Sequence, residues 1–367
     1  MLDKSSFQTL EQVNKHMNRQ MKCCFPSLQC MSYPSFHSRL PFLLQEVEQK
    51  FHSVITDLDC NFGKARSTYR FLFQEWMPLG YAGIIPVAEM SIIPATLAML
   101  NYGIAVTLID DVTDVDVLDR YYGKNFSGHV SICLAQVLIG KTESCYRLGK
   151  TEKHFINQVN KRIRAFLQYV ESLPYYTTVS PYFVRVNEIF SRHIMVCRDV
   201  RTKMEVGEPI SASDIHDLMN LIPYGMTVVM AGLLGLAHLP ATSLRIKHWK
   251  MILKDLETAQ LICHYYNAGA TLIREIGCGD VFNPIILRAA LKKKIDIHQF
   301  CRQTKREYLS LLFREQKLLE RRNKRLLNEF CTRLSWYENH GLRCYFEKLI
   351  FGIKFLDILY KTSIVRI

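Results

Sequence analysis

The residues best placed to do chemistry are the acids of Leu108-Ile109-Asp110-Asp111-Val112-Thr113-Asp114. They close a long apolar run: from Leu79 to Ile109 the only charged side chain is Glu89. Three carboxylates then arrive within five residues, with Asp116 and Asp119 close behind. On a helix, Asp110 and Asp114 project from one face, one turn apart. Like charges at that spacing repel by a few tenths of a kcal/mol when exposed, and by more when partly buried. A hard divalent cation offsets the repulsion, because Mg²⁺ takes oxygen ligands and often sits between one or two carboxylates and substrate phosphates. The competing reading is a solvated helix end beside a loop.

A second stretch tips the balance toward the cation. In Tyr266-Asn267-Ala268-Gly269-Ala270-Thr271-Leu272-Ile273-Arg274-Glu275, Asn267, Thr271 and Glu275 recur at intervals of four. On a helix they form one stripe offering an amide oxygen, a hydroxyl and a carboxylate. That is a plausible ligand set for a second Mg²⁺. Arg274 adds a cation suited to gripping a diphosphate oxygen. Alone, such a pattern is common; with an upstream DDxxD that ends an apolar helix, it is fairly specific.

The pair of motifs resembles the two metal-binding motifs of class I terpene synthases, the aspartate-rich DDxxD and the Asn/Ser-or-Thr/Glu triad with a basic residue just before the Glu. The resemblance extends over most of the chain after its N-terminal segment, although only the two motifs are specific. It implies a single all-α bundle of the isoprenoid synthase type, a cluster of three Mg²⁺ ions, and a prenyl diphosphate substrate such as farnesyl or geranylgeranyl diphosphate. Asp110, Asp111 and Asp114 would then serve as metal ligands, with Asp110 bridging two ions and Asp111 an outer partner. Asn267, Thr271 and Glu275 would hold the remaining ion. The family also places a helix break near the reacting carbon, and Gly225 of Pro223-Tyr224-Gly225 is the candidate here. An Arg-Tyr pair near the C-terminus often grips the diphosphate; this chain has Arg343-Cys344-Tyr345, so Arg343 and Tyr345 are the counterparts. Two departures stand out. Leu221 and Asn220 occupy the place of the usual diphosphate-sensing arginine, which leaves Arg201 or Lys203 as substitutes, and Ala268 follows Asn267 where Asp is frequent. Two other functions remain open: a prenyl-coupling enzyme on the same fold, and a non-catalytic helical binding protein.

Composition agrees with a large helical protein. The 367 residues are 49% hydrophobic, enough for a sizeable core, and only 17 are Gly and 12 Pro. A net charge of +13 suits an anionic partner. No nucleic-acid-binding motif is visible, so a diphosphate or an anionic surface is favoured over nucleic acid. The 12 Cys show neither zinc spacing nor a dense framework, and read as reduced, mostly buried thiols of a cytoplasmic protein. The apolar stretches 79–109 and 218–241 are interrupted by Pro and polar residues, which argues against an integral membrane segment. A homodimer is left open.

Elements that would position these residues can be read from periodicity. Pro26, Pro34 and Pro41 predict a strap over residues 1–40, ahead of a catalytic domain over 41–367. Helical spacing runs from Leu40 to Asp57 and from Tyr69 to Trp76, and a deep helix spans Pro86 to Asp114. Further helices are expected over His129–Gly140, Lys153–Leu173 and Phe183–Val206. One capped by Ser211 or Ser213 should break at Pro223-Tyr224-Gly225, where proline removes a donor and glycine tolerates unusual dihedrals. Leu256–Ile276 would carry the second motif. A basic amphipathic region over Phe300–Trp336 reads as a solvated charged face.

Overall fold

The computed structural model describes residues 33–63, 69–113, 117–123, 125–141, 148–221, 227–239, 248–278, 280–302, 305–338 and 342–363. Among them every regular element is a helix and none is a strand, so the fold is all-α.

The first helix, α1 (Tyr33–Phe62), departs from the expected strap. It begins before the 40/41 boundary and carries Pro41 inside. Burial explains this. Phe36, Leu40, Leu43, Leu44 and Val47 fall on one buried face, and Phe36 meets Phe351 and Phe355 edge-on at 5.5 Å between ring centroids. An interior proline costs about 3 kcal/mol, whereas each large apolar side chain buried contributes about 1.5–3 kcal/mol. Residues 1–32 lie outside the described part.

After a single turn at Tyr69–Phe71 the backbone widens into a π-helical turn, Leu72–Trp76, in which the Met77 amide donates to the Leu72 carbonyl. Helix α2 (Met77–Ile84) follows without interruption, with Pro78, which has no amide to donate, in its first turn directly after the widened one. Helix α3 (Ile92–Thr113) is apolar around its whole circumference and almost entirely buried. With the turn before it, it is long and apolar enough to cross a membrane, yet 83% of its most apolar window is buried inside the protein. Helices α4 (Phe126–Leu138) and α5 (Lys150–Glu171) follow; α5 packs along α3, where its Phe166 meets Tyr102 at 5.1 Å between ring centroids, while its Phe155 meets Phe62 and Phe126.

Helix α6 (Tyr176–Val206) ends at Gly207, which takes the left-handed conformation that glycine accepts most cheaply. Ser211 then caps α7 (Ala212–Leu221): its hydroxyl accepts the Asp214 amide at 3.1 Å, and the Asp214 carboxylate accepts the Ser211 amide at 2.8 Å. Helix α8 (Thr227–Ala237) is apolar throughout and buried. The expected break, including Gly225, lies outside the described residues. The longer helices of the rest are α9 (Trp249–Cys278), α10 (Pro284–Leu291), α11 (Leu309–Thr332) and α12 (Arg343–Ser363), with short helical pieces at Ile297–Arg302, Lys305–Tyr308 and Leu334–Glu338.

Two close crossings position the site. Gly83 of α2 and Gly352 of α12 let the two backbones touch: a Cβ on Gly352 would collide with the Gly83 carbonyl, and one on Gly83 with the Phe355 ring. Gly103 of α3 leaves room for the Tyr81 hydroxyl in the same way. Apolar packing falls into two bodies. The larger holds Phe190 and Ile194 of α6 with Ile252, Leu256 and Ile262 of α9. The smaller holds Cys197 and Val200 of α6 with Leu272 and Ile276 of α9, and the buried residues of α10. Helices α6 and α9 run through both. Cys60, Cys133, Cys197, Cys263 and Cys331 are free thiols, but Cys344 is disulfide-bonded, which departs from the expectation of reduced thiols throughout.

Candidate active site

A cavity of about 220 Å³ lies between α3 and α9, near the junction of the two apolar bodies. From α3 it receives Val106, Thr107, Asp110 and Thr113, a stripe with helical spacing. From α9 it receives a longer stripe that includes Gln260, His264, Asn267, Thr271 and Glu275. The two motifs, distant in sequence, therefore line one space. The residues expected to do chemistry on α9 all border it, Arg274 included.

The neighbouring acids part company. Asp111 is rotated about 100° from Asp110 around the helix. It does not line the cavity; it is buried, and its Oδ2 accepts the Tyr69 hydroxyl at 2.6 Å. Its expected role as a ligand is not what this placement offers. Asp114 lies outside the described residues. The end of α3 is held by Arg201, which donates to the Val112 carbonyl at 3.0 Å. Such a cation suits the unpaired carbonyls and the negative dipole end of a helix. Lys203, the other candidate diphosphate sensor, is paired with Asp214 at 2.7 Å.

Glu275 is fixed from several sides. The loop after α9 folds back so that the Asp280 amide donates to the Glu275 carbonyl at 3.0 Å. The Asn283 side-chain amide donates to Glu275 Oε2 at 2.5 Å and to the Ala268 carbonyl at 2.9 Å. Arg274 reaches Glu275 Oε1 at 3.3 Å. The Thr271 hydroxyl donates to the Asn267 carbonyl at 2.9 Å, which leaves its lone pairs available.

A third carboxylate, Asp280, was not anticipated from sequence. It lines the cavity and is buried. Burial, and then the charges of Glu275 and Asp110, push its carboxyl up to about 7. Three acids thus crowd one space in a strongly basic chain. That crowding is what a cation relieves. Among the described residues, no three His, Cys, Asp or Glu side chains stand close enough together to enclose a metal ion unaided. An ion shared with substrate phosphates needs only one or two carboxylates, so the donors present fit Mg²⁺ bound together with a diphosphate. Asn283, also missed, carried a signal in the sequence: Asn before Pro is a helix-start signature. It caps α10, its Oδ1 accepting the Ile285 amide at 2.8 Å.

Much of the remaining wall is apolar and aromatic. Trp76, Tyr81, Phe282 and Tyr360 border it, with Trp76 and Tyr360 in contact at 4.9 Å between centroids. Leu72 and Trp76 come from the π-helical turn, a feature often found at functional sites. The two C-terminal candidates lie elsewhere. Arg343 pairs with Glu338 and with the buried Glu347 at 2.5 and 2.7 Å. Tyr345 is buried, its hydroxyl donating to the Gly232 carbonyl at 2.8 Å. Neither borders the cavity. The sequence pattern Arg-Cys-Tyr therefore places its side chains in the packing of α12 rather than at the acids. Comparison with models of known families, with curated proteins and with solved structures found no match.

Proposed function

We propose that the chain ionises a linear prenyl diphosphate in this cavity and cyclises the resulting carbocation to a terpene, with release of diphosphate. One observation carries the reading. Asp110 and the stripe Asn267, Thr271 and Glu275 share a single cavity, into which a buried third acid is also drawn. A protein interior tolerates such a set when an acid keeps its proton, as Asp280 does below about 7, or when a cation balances the charge.

Arg274 grips the diphosphate at the acidic end, and Asp110, Glu275 and Thr271 supply oxygen donors there. Bound Mg²⁺ would supply electrostatic stabilisation of the leaving group. The allylic C–O bond breaks without a nucleophile or a general base, which suits a wall that offers no catalytic triad. Trp76, Tyr81 and Tyr360 then present aromatic faces to the cation and keep water away.

The test is direct. Purified protein is incubated with Mg²⁺ and, in turn, farnesyl, geranylgeranyl and geranylfarnesyl diphosphate, and the extracts are analysed by gas chromatography with mass detection. A cyclic hydrocarbon or alcohol is expected from at least one of them. No product from any overturns the reading, and product formed only when isopentenyl diphosphate is added replaces cyclisation with prenyl coupling.

A further inference from the structure

The outer face of α11 collects positive charge. Arg314, Lys317, Arg321, Lys324 and Arg325 are all exposed. They fall within an arc of about 100° round the helix, over about 17 Å of its length. None of them has an ion-pair partner among the described residues. Each stands one turn from another, a spacing at which like charges repel. Acids are kept out of the arc. Glu315 is fully buried and bound by Lys292 and Lys294, while Glu320 and Glu329 fall to either side.

Large apolar side chains border the same face. Phe313, 42% exposed, and Leu318, 43% exposed, flank the stripe of cations on its two sides. A third comes from α9. The two helices run antiparallel: the Asn323 side chain donates to the Ile262 carbonyl at 3.1 Å, and seven residues further along α9 and back along α11 the Gln316 side chain covers Gly269. That register brings Ile273, 58% exposed, level with Phe313. Ile273 points about 200° round α9 from Thr271, away from the cavity. The patch therefore lies on the outside of the helix whose inner face carries Asn267, Thr271 and Glu275.

We propose that this face of α11, with Ile273 beside it, docks the protein on the surface of an anionic lipid bilayer. The cations meet the headgroup phosphates, and Phe313, Leu318 and Ile273 enter the boundary beneath them. Long Lys and Arg stems lie along such a boundary while their charged heads stay in the headgroup layer. The apolar side chains select lipid over other polyanions. Nucleic-acid phosphates would accept the cations, but they give three exposed hydrophobic groups nowhere to go, whereas an acyl boundary does. The net charge of +13 draws the whole chain toward the same surface.

The docking stands on α9 and α11 alone; its advantage rests on the prenyl diphosphate reading. A prenyl diphosphate and the hydrocarbon made from it both partition into lipid. A docked enzyme takes the one from that phase and returns the other to it, so neither crosses open water.

In the experiment the full chain is mixed with vesicles of phosphatidylcholine alone, or of equal parts phosphatidylcholine and phosphatidylserine. Binding is read by flotation at low and at high salt. Wild type is compared with Arg314→Gln/Lys317→Gln/Arg321→Gln, with Phe313→Gln/Leu318→Gln, and with Lys150→Gln/Lys153→Gln/Lys161→Gln, which takes the same charge from exposed positions on α5. Glutamine is a good helix former, so these exposed positions keep their helices. Wild type should bind the mixed vesicles, ignore phosphatidylcholine alone, and let go as salt rises. A cation near an anionic bilayer contributes about fivefold in affinity, so the α11 charge variant should bind about 100-fold more weakly. Loss of the two apolar side chains should weaken binding by at least about threefold. The α5 variant should bind nearly as wild type does. If the triple α11 variant does not fold, Arg321→Gln alone should show the fivefold step.

Three results overturn the assignment. Wild type ignores the mixed vesicles; or the α5 and α11 charge variants weaken equally, which makes total charge the cause; or the α11 charge variant loses binding to RNA while its vesicle binding is unchanged, which gives the face to nucleic acid. No prenyl diphosphate enters the assay, so failure to form a terpene leaves this result standing, and failure to bind vesicles leaves the cyclisation reading standing.

Discussion

The Asn283 side chain does two things at once: its oxygen caps α10 by accepting the Ile285 amide, and its amide holds Glu275 at 2.5 Å. One residue thus joins the start of a helix to a site carboxylate. The other end of α10 is tied down as well, since Lys292 and Lys294 bind the fully buried Glu315 of α11 at 2.6 and 3.0 Å. Asn283→Ala should cost about 2–3 kcal/mol, combining a lost cap with the lost hydrogen bond to the Glu275 carboxylate. Urea unfolding measures it. The same variant should weaken Mg²⁺-dependent diphosphate binding, because Glu275 loses its anchor.

Asp110→Asn removes the charge that α3 presents to the cavity while keeping the side-chain shape. Loss of a residue that merely orients a metal ligand costs about 10–100-fold, so turnover should fall by more than about 100-fold. The thermal stabilisation expected of wild type with Mg²⁺ and diphosphate should vanish with it, a shift read by scanning fluorimetry. Stabilisation of equal size in the variant would remove Asp110 from the site.

Asp111 should behave in the opposite way. Its partner is Tyr69, so Asp111→Asn and Tyr69→Phe should each lower stability by about 1–3 kcal/mol. The double variant should lose less than the sum, as expected for two ends of one hydrogen bond. The stabilisation by Mg²⁺ and diphosphate should survive both substitutions. Its loss in Asp111→Asn alone would restore Asp111 as a ligand.

The raised carboxyl of Asp280 makes a prediction about pH. In the folded chain it ionises near 7, against 3.8 for the ordinary group. Between those values the folded state holds the extra proton, so stability falls as pH rises. The contribution is whole below the unfolded value and is lost as pH passes through the folded one. Asp280→Asn should abolish that slope, giving a melting temperature that changes less than wild type between pH 5 and about 8. Mg²⁺ favours the ionised form, so with diphosphate it should stabilise wild type more at the upper end of that range. A parallel pH profile for the Asn variant would refute the assignment.

Much of this arrangement was legible in the residues themselves. The α9 stripe could be read because four-residue intervals fix a helix face regardless of what surrounds it. The apolar run into Asp110 marked a deep helix for the same reason. What stayed hidden depends on rotation and on distant partners. Adjacent acids look alike in sequence; their rotation around the helix, with Asp110 at the cavity and Asp111 at Tyr69, sets them apart. Asp280 follows Gly277-Cys278-Gly279, where no periodicity says which way a side chain will face. Arg343 is claimed by Glu347 through the packing of α12, which no local pattern announces. The prolines near residue 40 suggested a strap because their local cost is visible, while the aromatic contacts of Phe36 that outweigh it are not.

The wide turn at Leu72–Trp76 holds one residue more than an α-helix of the same rise would need. A chain shortened by one residue there would wind as an ordinary α-helix and keep Gly80 and Gly83 turned toward Leu356 and Phe355. It would nonetheless redraw the contour that Leu72 and Trp76 present to the cavity. Insertion or loss of a single residue at this turn therefore edits the shape of the hollow while sparing the scaffold, whereas the same change within α2 would swing its glycines off their crossing by about 100°.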